Sequence, residues 1–144
     1  MDNLKDYIST DSRHNLLFMS LRSHNITYVD IGEQLSKKLE LKIESKRIAM
    51  IADDAIETII NSNLTSVTGI GNVIAITNIG ILFEPKLKLD LKAKIDSWAK
   101  SFILIIDSHE GLIRDNTFYL AGDTNFKNSI NLKDISHKTI YDEI

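Results

Sequence analysis

Cysteine is absent from the 144 residues. That excludes disulfides, thiolate zinc sites and a cysteine nucleophile. Proline occurs once and glycine six times, which leaves little material for a glycine-rich phosphate loop. Aromatic residues make up 7% of the chain. No apolar run approaches the roughly 20 residues that span a bilayer. The first residues, Met1-Asp2-Asn3-Leu4-Lys5-Asp6, lack the basic start and apolar stretch of a secretory signal. A cytoplasmic protein without membrane contact is therefore expected. Excess charge of one sign is missing too. The net charge of −3 gives the isolated chain no electrostatic reason to bind nucleic acid.

Ordinary globular material remains: 43% hydrophobic and 26% charged residues. The length suits one domain spanning residues 1–144. Leu16 to Leu21 is a continuous apolar run that fits a strand buried on both faces. Ile26 to Ile31 is β-branched and aromatic and reads as a second strand. Residues 3–9 and Gly32 to Leu41 read as helices. Lys46 to Ile51 fits helix or strand, and Asp53-Asp54 suits the start of the following helix. Thr65 to Gly71 reads as a loop, Asn72 to Thr77 as a buried strand, and Leu87, Leu91, Ile95 and Trp98 mark an amphipathic helix. Phe102 to Asp107 is the strongest strand signal, Ser108 to Gly111 a loop, and Phe118 to Ala121 a late short strand. Ile130, Leu132, Ile135 and Ile140 follow no clear period. Strands alternating with helices predict a mainly parallel sheet covered on both faces.

The chemical motifs are sparse. After the first strand, where a phosphate-binding loop would lie, the sequence reads Arg22-Ser23-His24-Asn25, with neither glycine nor lysine. Gly69-Ile70-Gly71 precedes a strand and reads as a flexible loop, not a dinucleotide fingerprint. Among His14, His24, His109 and His137, none has a helical-spacing partner for a compact metal site. Asp107, Ser108, His109 and Glu110 end the central strand, where ligands gather in open α/β sheets, although polar residues end most strands. Asp53-Asp54 reads as a helix cap before a cation site. Lys86, Lys88, Lys92 and Lys94 read as a solvated helix face. Trp98 is a candidate interaction residue, with a packed helix face as the plainer reading, and Arg22 is another. Phe118 and Tyr119 fit either a binding surface or simple strand alternation. No G-x-S-x-G or H-E-x-x-H motif occurs.

The segment Asn72 to Asp90, with its apolar strand followed by Thr77-Asn78-Ile79-Gly80-Ile81-Leu82-Phe83 and a Leu-rich stretch, resembles the Walker-B region of the small P-loop proteins of BREX phage-defence systems, the BrxF family. Tyr28 to Leu39 and the order of elements through Trp98, Gly111 and Phe118 to Asp123 are similar as well. The resemblance implies a single-domain three-layer fold, P-loop-NTPase-like but truncated. It also marks departures. Thr77 stands where the family carries its Walker-B aspartate, and Gly80 where it carries the acid that orients water. Asn78 is kept, and the phosphate loop with its helix is missing. No cofactor is implied. The expectation is a pseudo-ATPase accessory protein of antiviral defence that acts through a protein partner or as an oligomer. Its rivals are a phage or mobile-element inhibitor that mimics a defence subunit, and a nucleotide binder or enzyme that uses the Asp107–Glu110 loop.

Overall fold

Apolar runs four or five residues long, bounded by polar residues, build the centre of the molecule. The computed structural model describes residues 8, 12–20, 27–122 and 127–140. β1 (Leu16–Met19), β5 (Ile103–Ile106) and most of β4 (Gly71–Thr77) are buried on both faces. They form a mainly parallel sheet in the order β2-β4-β5-β1-β9, with β2 at Val29–Asp30 and β9 at His137–Ile140. Leu16 pairs with Leu104 on one side and His137 on the other.

Strand alternation divides the core. One face carries Leu16, Phe18, Ile74, Ile76, Leu104 and Ile106. The apolar stripes of α1 (Ile31–Leu39), α2 (Ile48–Ser62) and α3 (Leu91–Ser101) all join that cluster. The other face carries Leu17, Met19, Val73, Ala75, Ile103 and Ile105, all between 0 and 4% exposed. Ile8, Tyr28, Val67, Ile70 and Ile140 pack against it. Among the described residues the sheet is thus covered on both faces, as the alternation of strands with helices predicts.

Several elements differ from the sequence reading. Ile31 opens α1 and does not end β2, because Asp30 caps the helix by accepting from the Glu33 amide at 2.9 Å. α2 starts at Ile48, so Asp53 and Asp54 lie inside it and cap nothing. The line Ile48, Ala52, Ile56 and Ile60 extends the buried stripe upstream. Thr65–Val67 is a strand, β3, antiparallel to β4. The turn joining them uses the glycine pair, with Gly69 at φ 78° and Gly71 at φ 117°. From β5 the chain reaches β9 through a three-stranded antiparallel meander, β6 (Gly111–Arg114), β7 (Thr117–Leu120) and β8 (Ser129–Asn131). Phe118 of β7 stacks on Phe18 at 5.5 Å, and Ile130, Leu132 and Ile135 enter the main core. The sequence-predicted helix at 3–9 lies outside the described residues, apart from Ile8.

Only nine residues, 20–28, join β1 to β2, although two strands intervene. A parallel crossover usually needs a dozen or more residues and a helix. Here β2 pairs with Ile76 and Thr77 alone, on the rung that Phe18 and Ile106 share. β2 thus begins level with the end of β1, about three strand spacings, or about 14 Å, away. Tyr28 Oη donates to the Met19 carbonyl at 2.6 Å and ties the two ends of the link together.

Candidate functional site

The short β2 leaves the carboxyl ends of β2, β4 and β5 level with one another. This rim is where open parallel sheets place ligands. It brings together two groups of residues that are thirty positions apart in sequence. Thr77 Oγ1 donates to Asp107 Oδ2 at 3.0 Å. The Ile79 amide donates to Glu110 Oε1 at 2.6 Å. Asp107 Oδ1 accepts from the His109 amide at 3.0 Å and lies 3.1 Å from His109 Nδ1. The Asp107 amide donates to the Ile76 carbonyl and the Glu110 amide to the Asp107 carbonyl, each at 3.0 Å. The 3₁₀ turn Ser108–Glu110 is thereby strapped across the end of β4.

Asn78 lies at φ 56°, a left-handed conformation that asparagine tolerates better than most residues. That bend sends its amide back to Asp30 Oδ1 at 2.8 Å. Gly32, in the first turn of α1, lies directly beneath. A Cβ there would overlap the Asn78 amide nitrogen and come within 2.9 Å of its carbonyl oxygen. Gly80 is different, because a Cβ there meets nothing within 4 Å. An acidic side chain would fit at that position, and the sequence does not supply one.

Asp30 is a rim residue that the sequence reading missed. The available signal was Asp30 followed three residues later by Glu33, a helix-start pattern related to the capping box. The Glu33 amide first, and the Asn78 amide second, hold the Asp30 carboxyl below its ordinary value of 3.8. On α3, Lys100 first and His14 second do the same for Asp96, which lies 2.7 Å from His14 Nε2. Both groups are charged more readily folded than unfolded. Their contribution is present above the ordinary carboxylate pKa and is lost as pH falls through the lower folded values. Urea titrations are expected to show stability dropping below about pH 4. Asp30→Ala is expected to remove about 1 kcal/mol at pH 7, while Asp30→Asn keeps the cap and flattens part of the acid limb. An Ala variant as stable as the parent would show that the cap contributes nothing.

A second polar cluster joins α2 to α3. Lys94 Nζ lies 2.6 Å from Asp53 and 2.8 Å from Glu57. Trp98 Nε1 donates to Glu57 at 3.1 and 3.2 Å. Burial works against the Lys94 ammonium, but the two carboxylates outweigh it and raise its pKa above the ordinary lysine value. Trp98 is 4% exposed, so it belongs to the helix interface and offers a partner no surface. Lys86 lies 3.9 Å from Glu44 and Lys92 4.0 Å from Asp134. With Lys94 half-buried and paired to carboxylates of α2, the four lysines form no continuous stripe. Phe118 is buried and Tyr119 half-buried. Arg22 and His24, with the Arg22–Asn25 stretch, lie outside the described residues.

Among the described residues, no group of three His, Asp or Glu side chains is placed to hold a metal ion. No helix there is long and apolar enough to cross a membrane. Chemically, the rim is a closed network in which acids face amides, a hydroxyl and an imidazole of the same chain. No family model, curated protein or solved structure matches the chain.

Proposed function

We propose that the chain is a non-hydrolytic, P-loop-like accessory protein that works by binding other proteins, within a phage-defence complex of the BREX kind. The observation that carries this reading is the commitment of the rim. Asp30, Asp107 and Glu110 each hold hydrogen bonds from their own chain. Thr77 and Gly80 occupy the positions that the resemblance assigns to catalytic acids. Phosphoryl transfer depends on positioned charge around magnesium and the phosphates, and the carboxylates at the rim are held by their own chain at other positions than those two. The strand order supports the same reading. β1, the strand that would precede a P-loop, is separated from β4, the strand of the Walker-B-like segment, by β5 alone. The defence setting rests on the sequence resemblance.

Two measurements test the two halves. With 1 mM Mg·ATP, a site of Kd about 10 µM stabilises a protein by about 2.7 kcal/mol, a rise of several degrees in Tm. No rise is expected, and phosphate release should equal that of buffer. A clear rise would establish a nucleotide site and favour the nucleotide-binding rival, and phosphate release above buffer would overturn the non-hydrolytic reading. For the second half, the coding sequence is removed from a host that carries it and phage plaquing is counted. Plaquing is expected to increase. Decreased plaquing would favour the inhibitor reading, and unchanged plaquing would remove the defence role.

A further inference from the structure

We infer that a cavity on the outer edge of β4, between β2 and β3, binds an uncharged nucleobase or nucleoside. The cavity has a volume of about 650 Å³, a size common among small-molecule sites. Val29, Val73 and Ile74 supply apolar wall, and Thr27, Thr65 and Ser66 supply hydroxyls. None of the rim residues described above lines it.

Its origin is a break in the sheet. On this edge of β4, β3 pairs with Gly71 to Val73 and β2 with Ile76 and Thr77. Ile74 and Ala75 lie between them, each 2% exposed. Successive residues of a strand point their backbone groups to opposite edges. The Asp107 amide donates to the Ile76 carbonyl on the β5 side, so Ala75 turns its N–H and C=O to the outer edge. In the parallel register of Val29 with Ile76, the Ala75 carbonyl accepts from the Val29 amide. Among the described residues, the register gives the Ala75 N–H no strand partner on that edge. Buried backbone groups are nearly always paired, so this donor calls for an acceptor, and the cavity is where one can sit.

Two further features select the ligand. Carried on past Thr65 and Val73, the β3 register sets Asn63 across from Ala75, and Asn63 lines the cavity too. Both hydrogens of its side-chain amide are spent, because Nδ2 donates to Gln34 Oε1 at 3.2 Å and to the Ile59 carbonyl at 2.7 Å. What Asn63 has left to offer is its carbonyl oxygen, an acceptor. The cavity thus sets a fixed donor against an acceptor between aliphatic walls. A nucleobase carries an acceptor beside a donor on one edge and has apolar faces, and proteins read it through that edge while packing side chains on the faces. The other feature is charge. Among the described residues, no Lys, Arg, His, Asp or Glu lines the cavity. Nothing there neutralises a phosphate or a carboxylate, and an unpaired charge is costly to bury, so the ligand is uncharged.

The test follows the Ala75 amide in NMR spectra of the isotopically labelled full chain as uridine, cytidine, adenosine or guanosine is added. At least one nucleoside is expected to shift that resonance together with those of Thr65 and Val73. The corresponding nucleoside monophosphate should bind no more tightly. Thr27→Trp fills the cavity from the β2 side and Ser66→Trp from the β3 side. Both positions are exposed, so both variants are expected to keep the parental Tm and lose the shift. No shift with any nucleoside, shifts confined to other residues, shifts that survive both substitutions, or a tighter monophosphate would overturn the inference. The rim is read separately. A nucleoside shift without phosphate release keeps the cavity and the non-hydrolytic reading together, and a Mg·ATP response that survives both substitutions concerns the rim alone.

Discussion

Trp98→Ala is expected to lower stability by about 4 kcal/mol, the middle of the range for removing a buried aromatic. The ring is 4% exposed and belongs to the principal core cluster, so its removal leaves a cavity between α3 and α2. Its indole N–H also serves Glu57, and the variant leaves that carboxylate with Lys94 alone. Trp98→Phe separates the two effects. It keeps most of the volume and loses only the hydrogen bond, with an expected loss of about 1 kcal/mol. Urea unfolding followed by circular dichroism reads both values. If Trp98→Ala lies within 1 kcal/mol of the parent, the helix pair does not depend on this residue and the packing described here is wrong.

Gly111→Ala is expected to cost about 3 kcal/mol, near the upper end of ordinary overpacking. Torsion is not the cause, since Gly111 is extended at φ 179°. The cause is space. An added Cβ would overlap the Tyr119 carbonyl across the β6–β7 pair and lie 2.7 Å from Cζ of Phe118. The first is backbone, and the second is a ring fixed against Phe18, so neither yields readily. Any displacement of Gly111 also moves Glu110 off the Ile79 amide and loosens the rim strap. Gly80→Ala supplies the control, because its Cβ enters open space. It is expected to remain within about 0.5 kcal/mol of the parent. Equal stability of the two variants would contradict the geometry around Gly111.

The buried strands were legible because parallel strands covered on both faces have to be apolar throughout, and Leu16–Met19, Val73–Ile76 and Ile103–Ile106 have that character. α3 was legible from Leu91, Ile95 and Trp98. The errors have physical reasons. β3 is polar because it lies at an edge with most of its residues exposed, so it carries no hydrophobic signal. β6 and β7 meet at Asp115 and Asn116, with φ 53° and 59°. This two-residue hairpin turn lacks the usual glycine, and the hairpin was missed with it. At the rim, the Thr77 and Asp107 segments were each visible in the sequence. Their 3.0 Å contact was not, since it depends on β4 and β5 being neighbours. Asp30 was hidden by reading the strand through Ile31, which placed a helix cap inside a strand.

The placement of β1 has a consequence for how the molecule comes into being. This strand is among the earliest described elements to leave the ribosome, yet its partners in the sheet are Leu104 and His137, 88 and 121 residues downstream of Leu16. At about 5–20 residues per second, Leu16-Leu17-Phe18-Met19 waits on the order of 5–20 s for its first neighbour, and longer for its second. Until β5 arrives, an apolar run with two free edges is open to wrong partners. Pairings this distant also place the protein among slow folders.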